Sequence, residues 1–238
     1  MVYENCTLCP RNCKTNRSAN IHGVCGVSDK LKVARAALHF WEEPCISGWK
    51  GSGTVFFSGC SLHCVFCQNE AIAQGLTGKE ISGERLTEIF LELQEKGAHN
   101  INLVTPGHYV PDIVKALERG KDQGLNIPIV YNTGSYEKVD VLKQLEGLVD
   151  IYLPDFKYWD SEIARRYSRA ADYPEVAKKA IVLAKAAVAK LLHNTPLKRR
   201  NLNCCHRLHL TGNPNVVIEL PTGNCSVRKG IPIHAQSA

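Results

Sequence analysis

Short apolar runs and longer amphipathic segments alternate through the middle of the chain. The apolar runs predict four buried strands, at residues 54–57, 100–104, 128–131 and 149–153, and residues 31–40 form a further strand candidate. Apolar residues at helical spacing predict helices at residues 83–95, 111–123, 139–145 and 175–192. Alternating strands and helices indicate an α/β fold with a parallel sheet. Four such units are too few for a complete barrel, so we expect a shortened, partial (β/α) barrel.

Polar residues follow each of the four predicted strands. A cysteine-rich loop follows the first strand, Thr105 the second, Asn132 the third, and Asp155 and Lys157 the fourth. The carboxyl ends of parallel strands meet at one edge of a sheet, and barrel enzymes place their active sites there. We therefore expect a site at this edge.

The loop after the first predicted strand carries Cys60, Cys64 and Cys67 at C-x3-C-x2-C spacing. Three thiolates on one short loop can hold three corners of a cubane 4Fe–4S cluster, whereas an ordinary electron carrier uses four thiolates. The fourth iron would then be open to a small molecule. This spacing is the central functional clue in the chain.

A second group of cysteines lies near the start of the chain. Cys6, Cys9, Cys13 and Cys25 form a complete set of four within twenty residues. Thiolates suit both structural zinc and an iron–sulfur cluster, so ligand type does not decide between the two metals. The alternative interpretation is a group of buried thiols that bind no metal. Cys45 stands apart from both groups and is predicted to be a buried, small apolar side chain.

Composition narrows the class of protein. The chain has 238 residues and 11 cysteines, and its composition of 44% hydrophobic and 22% charged residues indicates a globular protein. The formal charge of +6 is mild: it could suit an anionic partner, but a solvated surface is the better interpretation, so nucleic acid is not an expected partner. No apolar run reaches the length of a membrane span, and the first residues lack the features of a secretory signal. We therefore expect a cytoplasmic protein without a membrane anchor. In a reducing compartment, clustered cysteines favour metal binding over disulfides.

Three segments are predicted: a cysteine-rich metal-binding segment at residues 1–50, a partial barrel at 51–192 and an atypical tail at 193–238. The composition changes after residue 192, which indicates a truncated or divergent C-terminal part. The tail has one group of potential metal ligands, Cys204, Cys205, His206 and His209. Adjacent cysteines point in different directions, so we do not predict a metal site there.

Several motifs together resemble one enzyme family. The cysteine loop has an aromatic residue before its third cysteine, giving Cys60-x3-Cys64-x-Phe66-Cys67. The supporting motifs are Pro44-x3-Gly48, Gly51-Ser52-Gly53-Thr54, Cys67-Gln68-Asn69, Tyr131-Asn132-Thr133, Tyr152-Leu153-Pro154-Asp155-Phe156-Lys157 and the N-terminal Cys-x2-Cys-Pro-Arg-Asn-Cys. This pattern resembles the radical S-adenosylmethionine (SAM) enzymes, and within them the branch related to pyruvate formate-lyase activating enzyme. The resemblance runs from about Cys6 to about Ile181.

The resemblance implies a radical SAM enzyme that uses a 4Fe–4S cluster to cleave SAM reductively to a 5′-deoxyadenosyl radical. Cys60, Cys64 and Cys67 would bind the cluster, and the amino and carboxylate groups of SAM would chelate the open iron. The resemblance, taken with the polar residues at the strand ends, implies that five residues bind SAM: Phe66, Thr105, Asn132, Asp155 and Lys157. The resemblance implies two alternative substrates: a protein glycine, as in the activation of a glycyl radical enzyme, or an unknown small molecule. An electron donor such as flavodoxin or ferredoxin and a protein substrate are the expected partners.

Two departures from the family pattern keep an alternative open. The Gly-Gly-Glu motif that usually follows the second strand is replaced by Thr105-Pro106-Gly107-His108. The activase-like barrels have six βα units, whereas this chain shows four. The alternative hypothesis is a non-catalytic or degenerate protein that binds iron–sulfur clusters or zinc.

Overall fold

The computed structural model describes residues 2–194, with the side chains of its last helix described as far as residue 186. Its centre is a six-stranded sheet with the order β3-β1-β2-β4-β5-β6. The strands are β1 (Lys32–His39), β2 (Ser52–Phe57), β3 (Lys79–Glu80), β4 (Ile101–Val104), β5 (Ile129–Thr133) and β6 (Ile151–Pro154). Strands β2, β4, β5 and β6 are parallel, and β1 runs antiparallel to β2 and β3. The α/β fold class with a partial barrel sheet is confirmed.

Within the described part of the chain, seven α-helices lie in the connections between the strands and after β6. They are α1 (Pro44–Ser47), α2 (Glu70–Ala73), α3 (Gly83–Glu95), α4 (Val110–Asp122), α5 (Val139–Leu142), α6 (Ser161–Ser168) and α7 (Tyr173–Asn194). The helix predicted at 139–145 is divided, because a 3-10 turn, Lys143–Leu145, follows α5. No helix within the described residues is long and apolar enough to cross a membrane.

Local sequence signals explain where the longer helices begin. The Ser82 side chain caps α3 by accepting a hydrogen bond from the Arg85 amide at 3.1 Å. Asp160 caps α6 in the same way, accepting from the amides of Glu162 and Ile163 at 2.8 and 2.9 Å. Side-chain caps of this kind satisfy amides that have no partner inside the helix.

The main core lies between the sheet and the helices on one of its faces. Alternate residues of each strand point to this face, among them Val55, Ile101 and Leu103, which are fully buried. Leu86 and Phe90 of α3 pack into the same core. Burial of each such side chain contributes about 1.5–3 kcal/mol, so this core holds the sheet in place.

A second core packs beside the cysteine loop. Its members are Leu62, Tyr136, Phe156, Tyr158, Ala164, Ala170, Tyr173 and Ala177, and Cys60 and Cys64 pack against them. These residues come from the loop itself, from the segments after β5 and β6, and from α6 and α7. The loop is therefore held by elements that come much later in the chain.

The prediction that Cys45 is a buried apolar side chain is wrong, because Cys45 is exposed. His108, in the segment after β4, is buried, and its Nε2 donates a hydrogen bond of 2.8 Å to the Ser58 carbonyl. Burial, aided by the charge of Arg17, lowers the pKa of His108 to about 3, so this imidazole is neutral.

Replacement of Phe90 by alanine tests the packing of the main core. Phe90 is 0% exposed, so Phe90→Ala should lower the free energy of unfolding by about 3–5 kcal/mol in urea titrations. The control is Glu95→Ala at an exposed position of the same helix, with an expected change within about 0.5 kcal/mol. Equal losses for the two variants would show that α3 does not pack as described.

Candidate active site

The three-cysteine loop, residues 60–67, begins at a position that only glycine can occupy. Gly59 has φ +92°, and a Cβ there would lie 2.7 Å from the Cys25 carbonyl oxygen. The close approach lets the Cys60 amide donate a hydrogen bond of 3.0 Å to that same oxygen. Glycine is required here for both its backbone conformation and its lack of a side chain.

The three thiols lie close enough on this loop for Cys64 and Cys67 to act electrostatically on Cys60. Cys60, Cys64 and Cys67 are all partly exposed and unbridged, and the Leu62 amide donates to Cys60 Sγ at 3.4 Å. Loss of water around the sulfur raises the pKa of Cys60, and the neighbouring Cys64 and Cys67 raise it further. Mutual repulsion of this kind is relieved when thiolates bind a cationic cluster.

The donor chemistry of the loop fits a cubane cluster better than a single ion. Within residues 2–194, no three His, Cys, Asp or Glu side chains are arranged to share one metal ion. Thiolates that bind three different irons of one cluster do not have to converge on a single atom. The apolar second core against Cys60 and Cys64 also limits the access of water to the loop.

A lysine–aspartate pair follows β6 and faces the loop. Lys157 Nζ lies 2.7 Å from Asp155 Oδ2, and the two side chains are 28% and 34% exposed. Burial opposes the ammonium charge, but Asp155 and the thiols of Cys64 and Cys60 outweigh it and raise the pKa of Lys157. The structure thus brings the predicted Asp155 and Lys157 together beside the cysteine loop.

The ends of β4 and β5 are joined through their backbones. The Thr105 amide donates a hydrogen bond of 2.9 Å to the Asn132 carbonyl, and both residues are partly exposed. Thr105 has φ +55°, which is rare for a β-branched residue. His63 after β2 and Ser135 after β5 also have positive φ, at +50° and +62°. Unusual backbone conformations at three neighbouring strand ends are typical of a functional edge.

Phe66 lies at the outer side of the loop. Its ring is 43% exposed and meets the ring of Tyr158 edge to face, with the centroids 5.8 Å apart. The Tyr158 hydroxyl hydrogen bonds to Ser168 Oγ at 2.6 Å. Phe66 is therefore fixed on one side and exposed on the other, as a residue that stacks on a ligand would be.

Glu137 is a buried carboxylate near the site that sequence analysis missed. It accepts hydrogen bonds from Thr133 Oγ1 at 2.7 Å and from the Tyr131 hydroxyl at 3.3 Å. A side chain on Gly107 would clash with this carboxylate, which explains the glycine in the segment after β4. Burial raises the pKa of Glu137 to about 7. A glutamate in a polar turn carries no sequence signal for burial, so only the fold could reveal it.

Glu42, in the connection between β1 and β2, is half buried beside Asn102. Burial, with the charges of Glu43 and Asp155, raises its pKa, while a contact with the Asn102 amide opposes that rise. Asn102 lies on β4 and is 0% exposed. The connection between β1 and β2 thus adds a carboxylate to the edge that holds Asp155.

The N-terminal cysteines are also brought together. Cys6 and Cys25 are buried, Cys9 and Cys13 are partly exposed, and none of the four is in a disulfide. Burial raises the pKa of Cys9 to about 12, and the other three thiols contribute to that rise. The candidate ligands Cys204, Cys205, His206 and His209 lie outside the described residues.

A family model described as the Radical SAM superfamily matches residues 54–201. Because the match covers more than half of the 238 residues, the chain belongs to the radical SAM superfamily. Membership implies a 4Fe–4S cluster and SAM, and the cysteine loop described above fits that cluster.

A relative with 30% identity over 210 residues is an uncharacterized protein of Methanocaldococcus jannaschii. The alignment covers 86% of this chain but 60% of the relative, so the chain spans about three fifths of that protein. The relative's description adds no activity or substrate.

The raised pKa of Glu137 predicts a pH dependence of stability. An unfolded glutamate has a pKa of about 4.3, so the folded state is penalised as pH rises from about 4.5 to about 7. Wild-type protein should lose up to about 3 kcal/mol of unfolding free energy over that range from this group. Glu137→Gln should remove this pH-dependent loss of stability, whereas the exposed control Glu118→Gln should show the same loss as wild type. Anaerobic urea titrations at several pH values would measure this, and an unchanged slope in Glu137→Gln would contradict the assignment.

Proposed function

We propose that Cys60, Cys64 and Cys67 hold the 4Fe–4S cluster of this radical SAM enzyme, and that the adjoining strand ends bind SAM. The observation that carries the proposal is the position of Lys157, whose ammonium interacts with both Asp155 and the thiols of Cys60 and Cys64. A cation beside two of the thiols and a carboxylate suits a site that takes an anionic cluster and a zwitterionic ligand. When bound, the reduced cluster supplies the electron that cleaves SAM to methionine and a 5′-deoxyadenosyl radical.

The chain's own residues have separate tasks in this proposal. Lys157 binds the SAM carboxylate, and Asp155 keeps the ammonium in place. Thr105 and Asn132, joined at the ends of β4 and β5, contact the amino group and the ribose side of the ligand. Phe66 packs its exposed side against the adenine. The second core beside Cys60 and Cys64 keeps water away from the reacting bond.

The proposed reaction is the activation of a glycyl radical enzyme, with a protein glycine as the source of the hydrogen atom and flavodoxin or ferredoxin as the electron donor. The resemblance of the motifs to the activase branch supports this. Exposed aromatic residues also support a protein partner: Phe40, Trp41 and Trp49 are 54%, 88% and 79% exposed in the connection that carries Glu42. Such residues are common where proteins bind one another.

Two observations favour a second candidate, a degenerate protein that binds metal without catalysis. The four parallel strands of the described residues form fewer units than the activase-like barrels have. The segment after β4 also lacks the usual Gly-Gly-Glu motif. The carboxylate next to Gly107 in this segment is that of Glu137, which comes from the segment after β5. Under this candidate the cluster would bind, but SAM would not.

Release of 5′-deoxyadenosine distinguishes the two candidates. Reconstituted wild-type protein should release it when dithionite and SAM are added under anaerobic conditions, because the open iron binds SAM. The variant Cys60→Ala/Cys64→Ala/Cys67→Ala should release none, and the exposed control Cys45→Ala should match wild type. Chromatography with mass detection is the measurement. A fully reconstituted wild type that releases none would favour the degenerate protein.

Removal of the Lys157 ammonium tests its role in binding. Lys157→Ala should weaken SAM binding about 10- to 100-fold, since a partly buried charge-assisted hydrogen bond is lost. The matched control is Lys143→Ala, which removes an exposed lysine paired with Asp140 at 3.6 Å. Anaerobic calorimetry measures both affinities. Equal affinities for Lys157→Ala and wild type would place SAM elsewhere.

A further inference from the structure

Arg17 is a fully buried cation in the N-terminal segment. It is 0% exposed, and its guanidinium lies over the ring of Tyr3 at 4.7 Å and that of Tyr109 at 5.5 Å. Nε and Nη2 donate to the Ser28 carbonyl at 3.2 and 2.6 Å, and Nη1 donates to the His108 carbonyl at 2.9 Å. Its surroundings fix the guanidinium in one place without neutralising it.

The negative groups near Arg17 are thiols. Nη1 lies 3.6 Å from Cys6 Sγ, and Cys25 is the other sulfur whose charge acts on the guanidinium. Within the described part of the chain, no carboxylate lies at ion-pair distance from Arg17. A buried charge without a counter-charge is disfavoured, because hydrogen bonds to carbonyls and contacts with aromatic rings replace only part of its lost hydration. Ionised sulfurs at this site would supply the missing counter-charge.

The four N-terminal sulfurs lie near one another, in an arrangement that a cluster can use without the sulfurs converging on a single atom. The position of a Cβ on Gly23 would lie 3.4 Å from Cys25 Sγ and 3.5 Å from Cys13 Sγ, so both sulfurs flank this small residue. Charges on Cys6, Cys13 and Cys25 all act on Cys9. Four thiolates around a zinc ion, or around a cluster core of charge +2, carry a net charge of about −2. This negative charge would serve as the counter-charge of the buried Arg17.

The same segment holds the three-cysteine loop through its backbone. The Cys25 carbonyl accepts from the Cys60 amide at 3.0 Å, and the Val24 carbonyl accepts from His63 Nε2 at 2.7 Å. Arg11, between Cys9 and Cys13, reaches the loop from the other side. Its Nε donates to the Ser61 carbonyl at 2.7 Å, and its Nη2 donates to Leu62 at 3.3 Å and to Ser168 at 2.6 Å.

We propose that Cys6, Cys9, Cys13 and Cys25 bind a second, negatively charged metal–thiolate centre, that Arg17 is its buried counter-ion, and that this centre supports the loop of Cys60, Cys64 and Cys67. The centre is structural, and the proposal does not depend on SAM cleavage. Zinc and an iron–sulfur cluster share the required charge, and metal analysis separates them. The metal adds to the stability of this segment, which has few apolar residues of its own.

Metal analysis of the full chain tests the site. The variant Cys60→Ala/Cys64→Ala/Cys67→Ala, reconstituted with iron and sulfide in the presence of zinc, should keep either one zinc or one cluster per chain. Adding Cys9→Ser and Cys13→Ser should abolish that metal, while adding Cys45→Ser should not. A folded loop variant, as judged by circular dichroism, that retains no metal would overturn the proposal. This test measures metal content and not the SAM reaction. A negative result here would therefore be distinct from a failure of the proposed function.

Two measurements distinguish a counter-ion role of Arg17 from a packing role: metal retention, and the unfolding midpoint with and without metal. Arg17→Gln should weaken metal retention at least tenfold in competition with a chelator, and Arg17→Lys should weaken it less. In metal-free protein the same Arg17→Gln change should raise or leave unchanged the unfolding midpoint, since it removes a buried charge without a counter-ion. An equal loss of stability with and without metal would assign Arg17 a packing role and overturn the counter-ion assignment.

If the N-terminal centre supports the three-cysteine loop, its removal should weaken iron binding by that loop. Cys9→Ser/Cys13→Ser in an otherwise wild-type chain should lose the N-terminal metal and, in addition, release iron from the three-cysteine loop severalfold faster than wild type. Iron release followed by absorbance after addition of a chelator is the measurement. Unchanged release would show that the two centres are independent and would overturn the supporting role.

Discussion

The contact between Gly59 and Cys25 is the constraint on which the site depends. The chain leaves β2 at this point with no room for a side chain, and the Cys60 amide bonds to the Cys25 carbonyl at 3.0 Å. The N-terminal segment is thereby attached to the start of the three-cysteine loop. From the opposite side, Tyr158 and Tyr173 pack the second core against the same loop. Contacts from both ends of the described chain therefore fix the positions of the three thiols.

Each group of thiols has a cation whose charge acts on two of its sulfurs. Lys157 lies by Cys60 and Cys64, and its partner Asp155 holds it there. Arg17 lies by Cys6 and Cys25, and backbone carbonyls and aromatic rings hold it. Lys157 remains partly exposed, which suits a residue that contacts a small ligand. Arg17 is fully enclosed, which suits a residue that balances a permanent charge. The two cations thus indicate different tasks for the two groups.

The fold followed from the sequence wherever a periodic pattern was long enough. The four parallel strands and helices α3, α4 and α7 were predicted, as was the meeting of Asp155 and Lys157 with the cysteine loop. The short α6 and the two-residue β3 have too few residues to show a period. Glu42, Glu137 and Arg17 were missed because charged residues in turns are normally exposed. Their burial arises from contacts with residues far away in the chain, such as Asn102, Gly107 and Tyr109.

The most direct test of the account is whether SAM binds the cluster held by Cys60, Cys64 and Cys67. The measurement is electron–nuclear double resonance on the reduced protein with SAM whose carboxylate oxygen carries a magnetic isotope. The account predicts a hyperfine coupling from that oxygen to the cluster, because three thiolates leave one iron open. The coupling should be absent in the Cys60→Ala/Cys64→Ala/Cys67→Ala variant. A reduced wild-type cluster whose spectrum shows no coupling to SAM would contradict the central claim.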